Sequence, residues 1–233
     1  MRFISLFAGI GGLDLGLERA GMECVAQVEI DDFCQQVLTK HWPNVPKHKD
    51  VCDVGKQNLP ATNLICGGFP CQDVSVAGFR NGLEGERSTL WKEFYRIVCE
   101  IHPQWVVIEN VTGLLSSDNG KFFSAILWNL SEIGYDVEWE TISAAAMGAL
   151  HQRERVFIVA NCNGLRMERS WAEQQTAGIN ECFGSYWRDT KPPIYRVANG
   201  VPYYMDRIKS HGNSVVPQVA EFIGHCIMNT NST

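Results

Sequence analysis

The feature that most constrains this chain is an alternation of short apolar runs with amphipathic segments of helical period, sustained to about residue 160. The runs predict strands at 2–7, 24–28, 63–66, 104–108, 136–141 and 155–160. The amphipathic segments predict helices at 13–20, 31–41, 90–101 and 121–133. A strand–helix–strand rhythm of this kind folds as an α/β protein, with a mostly parallel sheet and helices on both faces. From 161 to about 204 the periodicity is lost in a stretch rich in Gly, Asn, Ser, Trp and Arg, and 215–228 reads as a closing helix. The expected organisation is one sheet domain, 1–160 with 206–233, interrupted by a short irregular lobe at 161–205.

Composition narrows the possible settings. No apolar run reaches the roughly 18 residues a membrane span needs. The opening Met1–Phe7 stretch is too short for a secretion signal and meets Asp14 soon afterwards, so it reads as a buried first strand. A cytoplasmic protein without a membrane partner is expected. The nine cysteines are scattered and include no Cys-x-x-Cys pair, which argues against a disulfide framework and against a metal site. The net charge of −6 is unevenly spread: residues 151–210 hold nine Lys/Arg against six Asp/Glu, a local +3, and the remainder carries −9. One basic stretch on a neutral-to-acidic body is compatible with a phosphate backbone as partner.

Phe7-Ala8-Gly9-Ile10-Gly11-Gly12 follows the first strand and opens a helix. Glycines there let the backbone turn tightly and approach a ligand near the helix N-terminus. Glu29, about 20 residues on at the end of the next strand, can accept hydrogen bonds from both hydroxyls of a ribose. This unit fits NAD, FAD or S-adenosylmethionine. Its Gly-x-Gly-Gly spacing, with no group set to hold a pyrophosphate, favours S-adenosylmethionine.

A second cluster lies near two later strand ends. Gly67-Gly68-Phe69-Pro70-Cys71-Gln72 follows the strand ending in Cys66, where ligands bind in open α/β sheets. Glycines and Pro70 would hold Cys71 on a tight loop, a candidate nucleophile if its thiolate is favoured, with an inert half-buried thiol as the alternative. Glu109-Asn110-Val111, just past the strand at 104–108, places an acid where it can reach the same crevice.

In order along the chain, Phe7–Gly12, Pro70–Gln72, Glu109–Val111, Arg153-Glu154-Arg155 and Gly212–Pro217 resemble the motifs of the cytosine-5 DNA methyltransferase family. The resemblance covers roughly 3–160 and 206–228. It implies a class I S-adenosylmethionine-dependent, Rossmann-like fold with a small target-recognition lobe. It also implies methyl transfer from S-adenosyl-L-methionine to C5 of a flipped cytosine in double-stranded DNA, in the setting of restriction–modification systems. Cys71, Glu109, Arg153 and Arg155 would be the catalytic residues. Phe7, Gly9, Ile10, Gly11, Gly12, Glu29, Ile30, Asp50, Val51, Pro70, Leu90, Asn213 and Val215 would bind the cofactor, with Asp50 near the adenine amino group, Leu90 on the adenine ring and Asn213 closing the pocket. No metal is implied, and a monomer is expected.

The implied chemistry explains the residue types. Cytosine C5 is a poor nucleophile until a thiolate adds at C6. Glu109 would neutralise the charge that develops on the ring by serving N3 and the 4-amino group, which requires a raised carboxyl pKa or a shared proton. Arg155 would hold the cytosine O2 and the acid, and Arg153 a backbone phosphate. A stacked base cannot be attacked this way, so it must flip out of the duplex.

The chain departs from the family pattern in three places. His151 stands where the family commonly has Gln, the recognition lobe is far shorter than in large members, and Tyr195–Pro202 replaces the usual segment before the last motif. The lobe's Arg166, Arg169, Trp171, Trp187, Arg188, Lys191 and Arg196 have the character of a DNA-contacting surface. The compact bacterial and phage members look similar. Rival readings are a tRNA cytosine-5 methyltransferase, whose Cys-Phe-Thr signature is met here only by Cys182-Phe183-Gly184, a catalytically silent DNA-binding relative, and a nicotinamide-dependent oxidoreductase.

Overall fold

The computed structural model describes residues 1–70, 86–164 and 214–230. Its elements run β1 (Arg2–Leu6), α1 (Gly12–Arg19), β2 (Glu23–Val28), α2 (Asp32–His41), β3 (Lys47–His48), β4 (Leu64–Gly67), α3 (Glu86–Ile101), β5 (Trp105–Val111), α4 (Lys121–Glu132), β6 (Asp136–Ser143), β7 (Glu154–Asn161) and α5 (Pro217–Thr230). The strands form one seven-stranded sheet in the order β3-β2-β1-β4-β5-β7-β6. All neighbours from β3 to β5 pair in parallel, and β7 is antiparallel to both β5 and β6.

Adjacent residues on the central strands face opposite cores, which is why these strands read as unbroken apolar runs. Phe3 and Leu64 join Leu17, Trp105, Phe157 and Ile223 under α1 and α5. Ile4 and Ile65 join Phe94, Ile108, Ile126 and Leu130 under α3 and α4. From β1 the chain winds outward through β2 to β3, then returns to β4 on the other side of β1. Connections therefore diverge between β1 and β4, and their carboxyl ends open a crevice at that switch point.

Two boundaries differ from the local pattern. The two-residue β3 is too short to show any period and was not expected. β5 continues through Glu109, Asn110 and Val111, so the acid sits inside the strand end rather than after it. The antiparallel ladder to β7 carries the strand on, with Glu109 opposite Phe157 and Val111 opposite Arg155. Asp and Asn are weak strand formers and Glu only somewhat better, so a window of neighbouring residues stops at Ile108.

The closing helix is locked to α1 by small residues. A Cβ on Gly12 would lie 2.5 Å from the Val215 carbonyl oxygen, and one on Gly16 would lie 2.3 Å from that of Pro217 and 2.4 Å from Ala220 Cβ. On the other helix, a Cβ on Gly224 would meet Ala20 Cβ at 2.6 Å. Because the nearest atoms at Gly16 are mostly backbone, they cannot swing away. Gly16→Val is expected to destabilise the protein by about 3 kcal/mol, the upper part of the usual overpacking range. Urea denaturation of the two proteins side by side would measure this.

Beneath the glycine turn, Asp14 in the first turn of α1 is fully buried and ties the helix to two strands. Its carboxylate accepts from Ser5 Oγ on β1 at 2.9 Å and from Gln27 Nε2 on β2 at 2.7 Å. Burial pushes this carboxyl up from its ordinary value, against the pull of the same hydrogen bonds. The acid therefore anchors the base of the turn rather than facing its ligand side. Among the described residues, no helix is long and apolar enough to cross a membrane.

Candidate active site

The carboxyl ends of β1, β2, β4 and β5 surround a cleft of about 590 Å³. One wall is the glycine turn. Phe7 has φ +54°, a left-handed conformation uncommon for a bulky residue, and Gly9 has φ +58°. A Cβ on Gly9 would meet nothing within 4 Å, so the glycine is needed for its backbone conformation and the space beside it is open. Glu29 lies opposite. Its Oε2 accepts from Gly9 N at 2.7 Å and its Oε1 from Asp31 N at 2.8 Å. Each carboxylate oxygen has capacity for a second donor, so Glu29 braces the turn and can still receive hydroxyls. Ile30 is 66% exposed beside it, an apolar surface that a planar ring could cover. Ser214 and Val215, just ahead of α5, complete this end.

The other end of the same cleft holds Gly68, Phe69, Pro70, Glu109, Asn110, Val111 and Arg155. Glu109 is 7% exposed, and burial pushes its carboxyl up to about 7 against the pull first of Arg155 and then of Arg153. Arg155 Nε stands 3.0 Å from Glu109 Oε1. This contact favours the ionised acid both by charge and by hydrogen bonding, but burial outweighs it, so the acid can keep a proton near neutrality. Arg153 lies just before β7. Its Nε and Nη2 are buried without a hydrogen-bond acceptor among the described residues. Burial and the adjacent Arg155 pull its guanidinium pKa down, and Glu109 opposes them. Buried donors normally find partners; Arg153 itself is not among the described residues that line the cleft.

The site residues expected from sequence thus divide. Phe7, Gly9, Gly12, Glu29, Ile30, Pro70, Val215, Glu109 and Arg155 meet on one cleft. Ile10 and Gly11 instead line a neighbouring cavity of about 670 Å³ beside Trp42, which shares only Gly12 and Ser214 with the cleft. Asp50 accepts from Cys52 N at 2.9 Å through one oxygen, capping its own turn. Val51 is buried in the core, and Leu90 packs against the same core cluster. None of these three lies on the cleft wall. Cys71, Asn213 and residues 165–205 of the expected lobe lie outside the described residues.

A model of C-5 cytosine-specific DNA methylases matches residues 1–191. The chain belongs to this family. Among curated relatives, it is 36% identical to the type II methyltransferase M2.BsuMI of Bacillus subtilis over 69% of this chain and 42% of that protein. It is 35% identical to the type II methyltransferase M.HhaI of Haemophilus parahaemolyticus over 72% of this chain and 51% of that one. The chain therefore spans about half the length, or less, of these relatives. A solved structure of a putative DNA modification methyltransferase encoded within an Escherichia coli prophage superposes with a TM-score of 0.63 at 28% identity, covering 73% of this chain and 49% of that one. The Schizosaccharomyces pombe Dnmt2 methyltransferase superposes with a TM-score of 0.59 at 21% identity, covering 70% and 51%, which is a likeness of fold.

Within this cleft, two further contributors carry no signal of their own in the sequence. Asn110 is 3% exposed and donates Nδ2 to the Phe69 carbonyl oxygen at 3.1 Å. Gly68 leaves room for the acid, because a Cβ there would lie 2.6 Å from Glu109 Oε2. Both residues sit inside motifs that were read, but only the fold shows what they touch.

Proposed function

We propose that this chain catalyses methylation of cytosine C5 in double-stranded DNA with S-adenosylmethionine as donor, through a covalent bond from Cys71. The observation that carries the reading is one continuous cleft with the ribose-type acid Glu29 at one end and the buried, proton-holding Glu109 at the other.

The donor end suits S-adenosylmethionine better than a nicotinamide dinucleotide. Its lining carries the acids Glu29 and Asp31, and Arg155, the cleft's basic residue among those described, belongs to the far end and faces Glu109. That charge pattern suits a sulfonium cation and gives a pyrophosphate no partner. Glu29 would receive the ribose hydroxyls, Ile30 would flank the adenine, and Phe7 to Gly9 would bound the amino acid end. When bound, the cofactor supplies an electrophilic methyl group.

The chain's own residues carry the remaining steps. The Cys71 thiolate adds to C6 of a flipped cytosine and breaks its aromaticity. Glu109 shares its proton with N3 as negative charge develops there. Arg155 holds the acid and the base O2, and Arg153 would serve a backbone phosphate. Once C5 carries the methyl group, a solvent water takes the C5 proton, the C6–Sγ bond breaks to release the Cys71 thiolate, and N3 returns its proton to Glu109, which restores the ring.

Incubation with methyl-labelled S-adenosylmethionine and either duplex DNA or tRNA tests this directly. Label is expected in duplex DNA, and label in tRNA alone would overturn the reading in favour of the RNA branch.

A further inference from the structure

We infer that Asn110 is a positioning residue whose side chain ties the strand carrying Glu109 to the Gly68-Phe69-Pro70 segment that immediately precedes Cys71 in sequence, and that transfer depends on this tie. The inference rests on the methyl transfer proposed above.

The geometry begins where a ladder ends. β4 and β5 pair in parallel up to Gly67 opposite Ile108. Beyond that point the chain leaves the sheet as Gly68-Phe69-Pro70, and Pro70 has no N–H with which to tie the loop back. Asn110 extends the connection past the last ladder pair. Its Nδ2 donates to Phe69 O at 3.1 Å, and its Oδ1 accepts from Val111 N at 2.9 Å. These two partners fix the amide orientation, because the reversed amide would set donor against donor and acceptor against acceptor.

Other contacts seat the loop without reaching the acid's strand directionally. The Phe69 ring lies 5.8 Å from Trp91 and 6.2 Å from Phe122, centre to centre. Gly67 lies against the Leu6 carbonyl, where a Cβ would come within 2.3 Å. Aromatic contacts of this kind tolerate sliding, whereas a buried hydrogen bond holds distance and direction. Cys71 is two residues beyond the fixed carbonyl, and Glu109 one residue before Asn110. Misplacing reacting groups by about 1 Å costs roughly a hundredfold in rate.

Asn110→Asp isolates the bond. The carboxylate keeps an acceptor for Val111 N but sets an oxygen against Phe69 O. The full chain is assayed on duplex DNA for kcat and for the KM of S-adenosylmethionine. Capture by duplex DNA containing 5-fluorocytosine is timed, since its fluorine cannot leave as the C5 proton does. Hydrogen exchange is followed in peptides covering 67–72 and β1.

The variant is expected to lose about thirtyfold or more in kcat and capture rate, with the cofactor KM within about twofold. Exchange across 67–72 should accelerate about fivefold or more while β1 is unchanged. A variant within about twofold of wild type in kcat and capture would overturn the inference, as would a loss accompanied by faster exchange throughout the sheet. If the wild type neither transfers nor captures, the functional reading falls by itself. The exchange arm then decides Asn110 alone, and unchanged protection of 67–72 would sink its hold on the loop. Should the aspartate variant fail to fold, Asn110→Ala, which removes the donor without adding a charge, is expected to show the same pattern.

Discussion

Replacing Cys71 with alanine is expected to lower methyl transfer to duplex DNA by about four orders of magnitude or more, the scale on which covalent nucleophiles are lost from enzymes that depend on them. The size follows from the substrate. An intact cytosine ring has no enamine character at C5, so positioning alone leaves the methyl acceptor unactivated. The cleft and its cofactor end are built from other residues, and binding of S-adenosylmethionine to the Cys71→Ala protein should therefore stay within about threefold of wild type. Filter binding of labelled cofactor, run beside the transfer assay, separates the two effects. Covalent capture of 5-fluorocytosine DNA should vanish in the same variant. Transfer that survives the substitution would mean that another thiol, or no thiol, carries the reaction. Among the seven cysteines described, Cys24 and Cys66 have thiols pushed up by burial and by Asp14, which makes them poor substitutes.

The agreement between the candidate residues and the lining of the cleft has a physical basis, and so do the departures from it. Strand ends and glycine turns are local features, and in a parallel sheet all carboxyl ends share one edge. Glu29, Pro70 and Glu109 therefore had to converge once the alternation of strands and helices was established. The length of β5 was not local, because it depends on pairing with β7 some 45 residues later. The same holds for Gly12 and Gly16. Gly12 lines the cleft, as its motif suggests, but it also leaves room for the backbone of Val215, and nothing between 12 and 20 announces a helix from the far end of the chain. Asp50 and Leu90 show the converse. Their positions match a family pattern, while in the fold Asp50 caps its own turn, Leu90 packs against the core cluster, and neither is among the described residues lining the cleft. Asn110 was legible only as part of a motif. Its role depends on which carbonyl lies opposite, 41 residues earlier in the chain.

The Glu109 carboxyl, pushed up to about 7 by burial, gives a second large effect and a signature in pH. Glu109→Gln keeps the shape and a hydrogen-bonding group but cannot deliver a proton. Transfer is expected to fall by roughly 10² to 10⁴ fold, the usual range for a lost general acid. In the wild type, the step served by the proton on Glu109 should weaken as pH rises through about 7, and this limb should be missing from the residual activity of the variant. Stability follows the same proton with a definite sign. Unfolding returns the carboxyl to its ordinary value of 4.5, so between there and about 7 the native state holds a proton that the unfolded state has released. Native stability must then decline across that window. At about 1.4 kcal/mol per pH unit the full penalty is about 3 kcal/mol, reached above pH 7. Glu109→Gln carries no such penalty and should gain on the wild type as pH rises from 4.5 to 7. Denaturant titrations of both proteins at pH 5 and pH 8 would show it. A constant difference between them would mean that Arg155, 3.0 Å away, holds Glu109 ionised throughout, and the acid could then stabilise the ring only by accepting hydrogen bonds.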